Sequence, residues 1–218
     1  LLFRVGDFYE TFGKDAIVAS KVLEIILTNR ANGSSRIELA GFPHHAIDNY
    51  LPKLVKAGHR VAICDQLEDP KQTKKIVKRG VTELVTPGVS YNHLTLESTK
   101  NNFLASIYYG KELLGVSFLD ISTGEFLVSQ GNAEYVNKLL QSFSPSEILF
   151  QKSQKDKFRR DFLFEKFSFA LDDWPYNIEF ANELLIEQFN TKSLKGFGIE
   201  SMHDGIVGAG IILHYLKE

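Results

Sequence analysis

The chain predicts an α/β fold in two domains, and three observations carry that reading. Short runs with the alternation of strands recur between stretches whose apolar residues fall at helical spacing. Residues Pro87 to Lys100 lack periodicity and are rich in Ser, Thr and Asn, which marks a linker. Beyond it, three strand-like runs follow one another with turn residues between them. The domains are read as 1–90 and 101–218, joined by 91–100. With 218 residues, 44% hydrophobic and 24% charged, the chain is large and apolar enough for two ordinary cores.

The elements follow in order. Leu1 to Val5 and Phe8 to Phe12 read as a hairpin about Gly6-Asp7. Asp15 is placed to cap a helix running to about Ile26, with Ile17, Val18, Val22, Leu23 and Ile26 as its apolar positions. Asn32 to Ser35 is a loop and Arg36 to Ala40 a short strand. His44 to Ala57 is helical, with Ile47, Tyr50, Leu51, Leu54 and Val55 on one face and Gly58 as its stop. Pro52 inside that pattern predicts a kink or an earlier boundary. Arg60 to Gln66 and Thr82 to Val85 are strands, with the basic stretch Lys71 to Arg79 between them. In the second half, Phe103 to Tyr109, Leu113 to Ile121 and Glu125 to Ser129 form an antiparallel meander. A helix from Ala133 to Phe143 and a strand from Glu147 to Phe150 follow. Further helices fall at Ile178 to Phe189 and Gly205 to Lys217, with Leu194 to Ile199 a loop or short strand. Meander, helix, strand is the opening order of an RNase H-like α/β fold.

Composition narrows the function classes. No apolar run approaches the length of a membrane span, and no signal peptide is visible. The lone cysteine, Cys64, has no partner for an internal disulfide and sits in an apolar run, as a small buried residue does. One cysteine fits a reducing cytoplasm. The net charge of −2 hides an asymmetry: residues 1–90 carry 13 Lys and Arg against 10 Asp and Glu, and residues 91–218 carry 12 against 17. The first half is therefore the better candidate for contact with nucleic acid. There is no Gly-x-x-x-x-Gly-Lys-Ser/Thr loop, so no phosphate cradle of that kind and no nucleotide hydrolysis expected of this chain.

The most informative segment is Gly6-Asp7-Phe8-Tyr9-Glu10-Thr11-Phe12. In an extended segment side chains alternate, so Phe8 and Glu10 point one way and Tyr9 the other. A flat ring beside a hydrogen-bonding carboxyl is a tool for probing a base stack. The plain alternative is a core aromatic followed by a surface charge.

Gly6-Asp7-Phe8-Tyr9-Glu10 resembles the mismatch-binding domain of the MutS family of DNA mismatch repair proteins. In the same order come Leu27-Thr28-Asn29-Arg30, Ala40-Gly41-Phe42-Pro43-His44-His45-Ala46, Val61-Ala62-Ile63-Cys64-Asp65-Gln66 and Val85-Thr86-Pro87-Gly88. Leu119-Asp120-Ile121-Ser122-Thr123-Gly124 and Gly196-Phe197-Gly198 resemble the next domain, so the similarity runs the length of the chain. The resemblance implies a mixed-sheet mismatch-recognition domain followed by an RNase H-like connector domain, in a bacterial cytoplasmic protein. It implies that Phe8 enters the duplex from the minor groove and stacks on a mispaired or unpaired base. Unstacking costs less where pairing is already defective, so such a wedge reads weakness and not sequence. Glu10 is implied to hydrogen-bond that base. An ionised carboxylate only accepts, a protonated one also donates, and surrounding phosphates favour the second form. Arg30 is implied to touch the DNA backbone, a positioning contact, and Val5 and Leu39 to lie against the minor groove. The full-length parent is implied to be a homodimer with ATP and Mg in an ATPase domain that this chain lacks. MutL is implied to dock on the connector, near the Ile178 to Phe189 helix.

Other candidates are weaker. Lys71, Lys74, Lys75, Lys78 and Arg79 form a possible phosphate patch, though such a run is more often a solvated face. His44-His45 does not supply the four or so convergent ligands that a zinc site needs. The competing function is a metal-dependent nuclease on the RNase H-like domain. That chemistry needs clustered carboxylates, and Asp120 stands alone on the second strand, better suited to ordering the turn at Ser122 to Gly124. A MutS paralogue that binds another DNA structure is a third reading.

Overall fold

Two short strands open the chain in the computed structural model, which describes residues 1–33, 35–68, 77–89, 101–162 and 167–217. The chain divides into two units, Leu1–Ser98 and Thr99–Glu218.

In the first unit, β1 (Leu2–Val5) and β2 (Phe8–Phe12) pair antiparallel around Gly6-Asp7. Gly6 takes φ +57, a backbone state that costs a side-chain-bearing residue more than glycine. The helix α1 spans Gly13–Leu23, beginning before Asp15 and stopping short of Ile26. Asp15 therefore lies inside the first turn and does not cap it. Ala16, Ala19 and Leu23 face the core, and the two alanines let the helix lie close to the sheet. The segment read as a loop and a short strand is a second hairpin, β3 (Thr28–Asn32) with the nine-residue β4 (Ser35–Pro43). β3 is polar and exposed, so apolar alternation gave no sign of it. A 3₁₀ turn at His44–Ala46 leads into α2 (Ile47–Lys56), which stays helical through Pro52, whose ring is buried with Leu51, Leu54 and Val55. Gly58 follows at φ +84, and His59 N–H closes back on the Leu54 carbonyl. β5 (Val61–Gln66) pairs parallel with β1, and β6 (Arg79–Val85) closes the sheet. The order is β3-β4-β2-β1-β5-β6. Leu2, Tyr9, Phe42, Val61, Ile63 and Val85 meet residues of α1 and α2 in one core on one face of this sheet.

The second unit begins with the expected meander, β7 (Phe103–Tyr109), β8 (Leu114–Asp120) and β9 (Glu125–Gly131). After α3 (Ala133–Phe143), capped by the Asn132 side chain, β10 (Glu147–Gln151) returns parallel to β7. Sequence periodicity missed the short α4 (Lys155–Asp161) and β11 (Phe167–Leu171). The order β11-β10-β7-β8-β9 places an antiparallel three-strand half beside a parallel half, as the RNase H-like reading requires. α3 and α4 cover one face. α6 (His203–Lys217) covers the other, and α5 (Ile178–Gln188) packs on α6. Leu194–Phe197 is a 3₁₀ turn and not a strand. α6 is bonded to the sheet by side chains: Ser106 Oγ donates to the Gly208 carbonyl at 2.7 Å, Ser117 Oγ to that of Gly205 at 3.1 Å, and Tyr215 OH to Glu147 Oε1 at 2.6 Å.

Candidate nucleic-acid interface

Strand register brings the five predicted contact residues to one face. Val5, Phe8 and Pro43 share a row across β1, β2 and β4. Phe3, Glu10 and Gly41 share the next row on that side, and Phe12, Leu39 and Thr28 the one after. Arg30 sits opposite Ile37, two residues further along β4 and so on the same face. The opposite face carries Tyr9, Thr11, Ala40 and Phe42, all buried under the helices. The alternation read from the sequence is thus realised: Phe8 is 47% exposed and Tyr9 5%.

Phe8 is held from several sides. It is the first residue of β2, with β1 and β4 bonded to either edge. The preceding turn is fastened through its carbonyls. Arg4 Nε donates to Gly6 O. The His44 backbone N–H donates to Asp7 O at 2.8 Å, and His44 Nδ1 lies 3.2 Å from the same oxygen, within donating range when that nitrogen carries the proton. His44 opens the 3₁₀ turn that precedes α2, where the sequence reading begins the helix itself, and it is also a clasp on the hairpin. Neither role of Arg4 nor the clasp was visible in the chain order, because both link residues through space and not through a motif.

Glu10 is not a free surface charge. Its side chain is 19% exposed, and its Oε2 lies 3.1 Å from Arg30 Nη1. Val5 and Leu39 are half-buried on either side of the Phe8–Glu10 stripe.

The basic stretch divides. Lys71, Lys74 and Lys75, like the linker 91–100, lie outside the described residues. Lys78 is exposed, and its backbone N–H donates to Glu68 Oε1. Arg79 is turned inward. Its Nε donates to the Arg4 carbonyl at 2.8 Å, its Nη1 to that of Val77, and its guanidinium carbon lies 5.5 Å from the centre of the Phe3 ring. It fastens β6 to β1. Cys64 is buried and free.

In the second unit Asp120 is 1% exposed and fully engaged. Oδ1 accepts from Ser122 N and Oγ at 2.9 and 2.6 Å, and Oδ2 from Asn102 N at 3.0 Å. It orders the turn before Gly124, the role expected of it. Of the other acids on this sheet, Glu147 on β10 is occupied with Tyr215, and Glu125 at the start of β9 accepts from Asn101 Nδ2. Among the described residues no helix is long and apolar enough to cross a membrane, and no group of three His, Cys, Asp or Glu converges as metal ligands would.

Comparison with known proteins identifies the family. Residues 1–93 match the family described as MutS domain I, and residues 102–218 that described as MutS domain II. The chain is 63% identical over its whole length to the DNA mismatch repair protein MutS of Christiangramia forsetii, 65% to that of Flavobacterium psychrophilum and 64% to that of Cytophaga hutchinsonii. It spans about a quarter of the length of these relatives: 25%, 25% and 26%. The chain therefore belongs to the MutS family and carries its domains I and II.

Proposed function

We propose that this chain recognises mispaired or unpaired bases in duplex DNA, as the N-terminal part of a MutS mismatch repair protein. The observation that carries the reading is Phe8. A phenylalanine ring half open to water is mounted on an interior strand beside a fastened turn, in line with Glu10 on the same face, where an outside partner can reach both. Inserted between base steps it stacks on a base, which returns roughly 1–3 kcal/mol. The stack opens at lower cost where pairing is defective, and that difference is the mismatch signal. Glu10, two residues on along the same face, bonds the displaced base. Val5 and Leu39 line the minor groove beside the ring, and Arg30 approaches a phosphate. The names of the relatives support this reading.

Residues 1–90 are then the recognition domain and 101–218 the connector, with 91–100 joining them. In the full-length homodimer the connector links the DNA site to the ATPase and docks MutL, with α5 near the docking surface. ATP and Mg belong to the ATPase domain of the parent, and this chain performs no catalysis of its own. A soluble cytoplasmic bacterial protein is the setting.

The test is Phe8→Ala in the full-length parent, with duplexes that differ by one mismatch. Preference for the mismatch is expected to vanish while the thermal midpoint and ATP hydrolysis hold. Preference of the original size would refute the wedge.

A further inference from the structure

Arg30 and Glu10 are bonded across an intervening strand. Glu10 is on β2 and Arg30 on β3, with β4 between them. The span is open because the residue opposite Glu10 is Gly41. A Cβ there would lie 2.9 Å from the Tyr9 carbonyl oxygen and 3.5 Å from Glu10 Cγ. With no side chain in the way, the Glu10 carboxylate leans over the backbone of β4 and meets Arg30 at 3.1 Å. The guanidinium end is 54% exposed, so it is reachable from solvent while it holds the more covered carboxylate.

Each partner is wanted elsewhere on DNA. A phosphate is a strong ligand for a guanidinium, and a carboxylate stripped of its cation among phosphates is repelled. We propose that Arg30 is a specificity-determining residue acting through Glu10: it holds the carboxylate in the free chain and exchanges it for a phosphate only when a displaced base takes its place. On matched duplex no base is offered, the pair stays closed, and Arg30 adds no phosphate contact. On mismatched duplex the base replaces Arg30 at Glu10, and Arg30 gains its phosphate. One backbone contact is thereby made conditional on the defect. This rests on the reading of Glu10 as the residue that bonds the base.

The exchange and simple repulsion by Glu10 predict opposite results. Glu10→Gln releases Arg30, so matched duplex binds tighter, by about two- to tenfold, the lower part of the range for side chains in direct contact. If the exchange operates, that gain comes through Arg30 and shrinks to less than half when Arg30 is also changed to Met. If Glu10 merely repels phosphate, removing Arg30 leaves its charge uncompensated, and the gain from Glu10→Gln grows. The experiment is a cycle of E10Q, R30M and the double variant in the full-length parent. It measures the affinity for matched and single-mismatch duplex at fixed salt, with R30Q as a second replacement and thermal midpoints as the folding control. A gain that survives or grows without Arg30 overturns the exchange and leaves the Phe8 wedge standing. No gain from E10Q at all, with Phe8→Ala still abolishing preference, overturns both the exchange and the assignment of Glu10. Loss of the wedge result itself would point to failure of the underlying function.

Discussion

Tyr9 and Asp65 are bonded across β1. The Tyr9 hydroxyl donates to Asp65 Oδ2 at 2.8 Å, reaching from β2 to β5. Arg4, opposite Tyr9 on β1, fills the gap: its guanidinium carbon lies 5.7 Å from the centre of the Tyr9 ring and its Nη1 3.9 Å from Asp65 Oδ1. Burial acts to raise the Asp65 carboxyl. The Gln66 N–H, the Tyr9 hydroxyl, Arg4 and His44 outweigh it and hold the group below the ordinary carboxylate range. Burial pushes the Tyr9 phenol up, and its bond to the carboxylate pushes it further. This network lies directly behind the strand that carries Phe8 and Glu10.

The signs of these shifts set a pH dependence. A lowered carboxyl stabilises the fold above its unfolded value, and that contribution is lost as pH falls below about 4 through the folded value. A raised phenol stabilises below its unfolded value of 10.0, and that contribution is lost as pH rises above it. Tyr9→Phe is expected to cost about 0.5–1.5 kcal/mol at neutral pH. Unfolding titrations of both forms should show the difference shrinking toward each extreme. A difference constant from pH 2 to 12 would refute the network.

Gly41→Ala tests the passage over β4. The added methyl meets backbone at 2.9 Å, so the strands must shift, at a cost of about 1–3 kcal/mol. Gly196→Ala, with nothing within 4 Å of the new atom, should stay within about 0.5 kcal/mol. Denaturant midpoints compare the two, and equal effects would contradict the close contact.

Tyr215→Phe should destabilise the second unit by about 1–3 kcal/mol, because it removes a donor from the wholly buried Glu147. Ser106→Ala should cost less, since the Gly208 carbonyl keeps its place in the helical ladder. Hydrogen exchange along α6 would report both. Larger loss of protection from the serine change would reverse the ranking of these anchors.

The isolated chain should bind duplex weakly and with little mismatch preference. A small positive excess in residues 1–90 supplies few phosphate contacts, and one inserted ring must offset both bending and association entropy. A dissociation constant of roughly 10⁻⁴–10⁻⁶ M that weakens with salt is expected from fluorescence titration. Nanomolar, mismatch-selective binding at physiological salt would show that this chain needs no help from the rest of its parent.

What was legible in the sequence followed from burial. The meander, α3, α5 and α6 announce themselves because each buries an apolar stripe, and the Phe8/Tyr9 alternation follows from strand geometry alone. β3 did not, since the edge strand Thr28-Asn29-Arg30-Ala31-Asn32, exposed from Thr28 to Ala31, has no apolar period to detect. Pro52 does not bring the earlier boundary that was one of its two expected effects, because the helix gives up one backbone bond there and recovers a buried ring. At the site, residue types were readable and pairings were not. Arg30 reads in the sequence only as a contact to the DNA backbone, and the empty space above Gly41 is what makes Glu10 its partner. Arg79 looked like part of a phosphate patch, and its tie to Arg4 depends on a contact 75 residues distant in sequence.

The mounting of Phe8 has a mechanical consequence. A ring on a loop is compliant, and when pushed it swings aside and absorbs the load. This ring stands on a strand flanked by ladders on both edges, with its turn pinned by Arg4 and His44. Force applied to it passes through those ladders into the neighbouring strands, which share the load. Under the proposed function, a tip mounted in this way and pressed into a base stack leaves most of the deflection to the DNA. On the proposed wedge reading the protein acts as a stiff indenter, and the quantity it reports is the softness of the material beneath it.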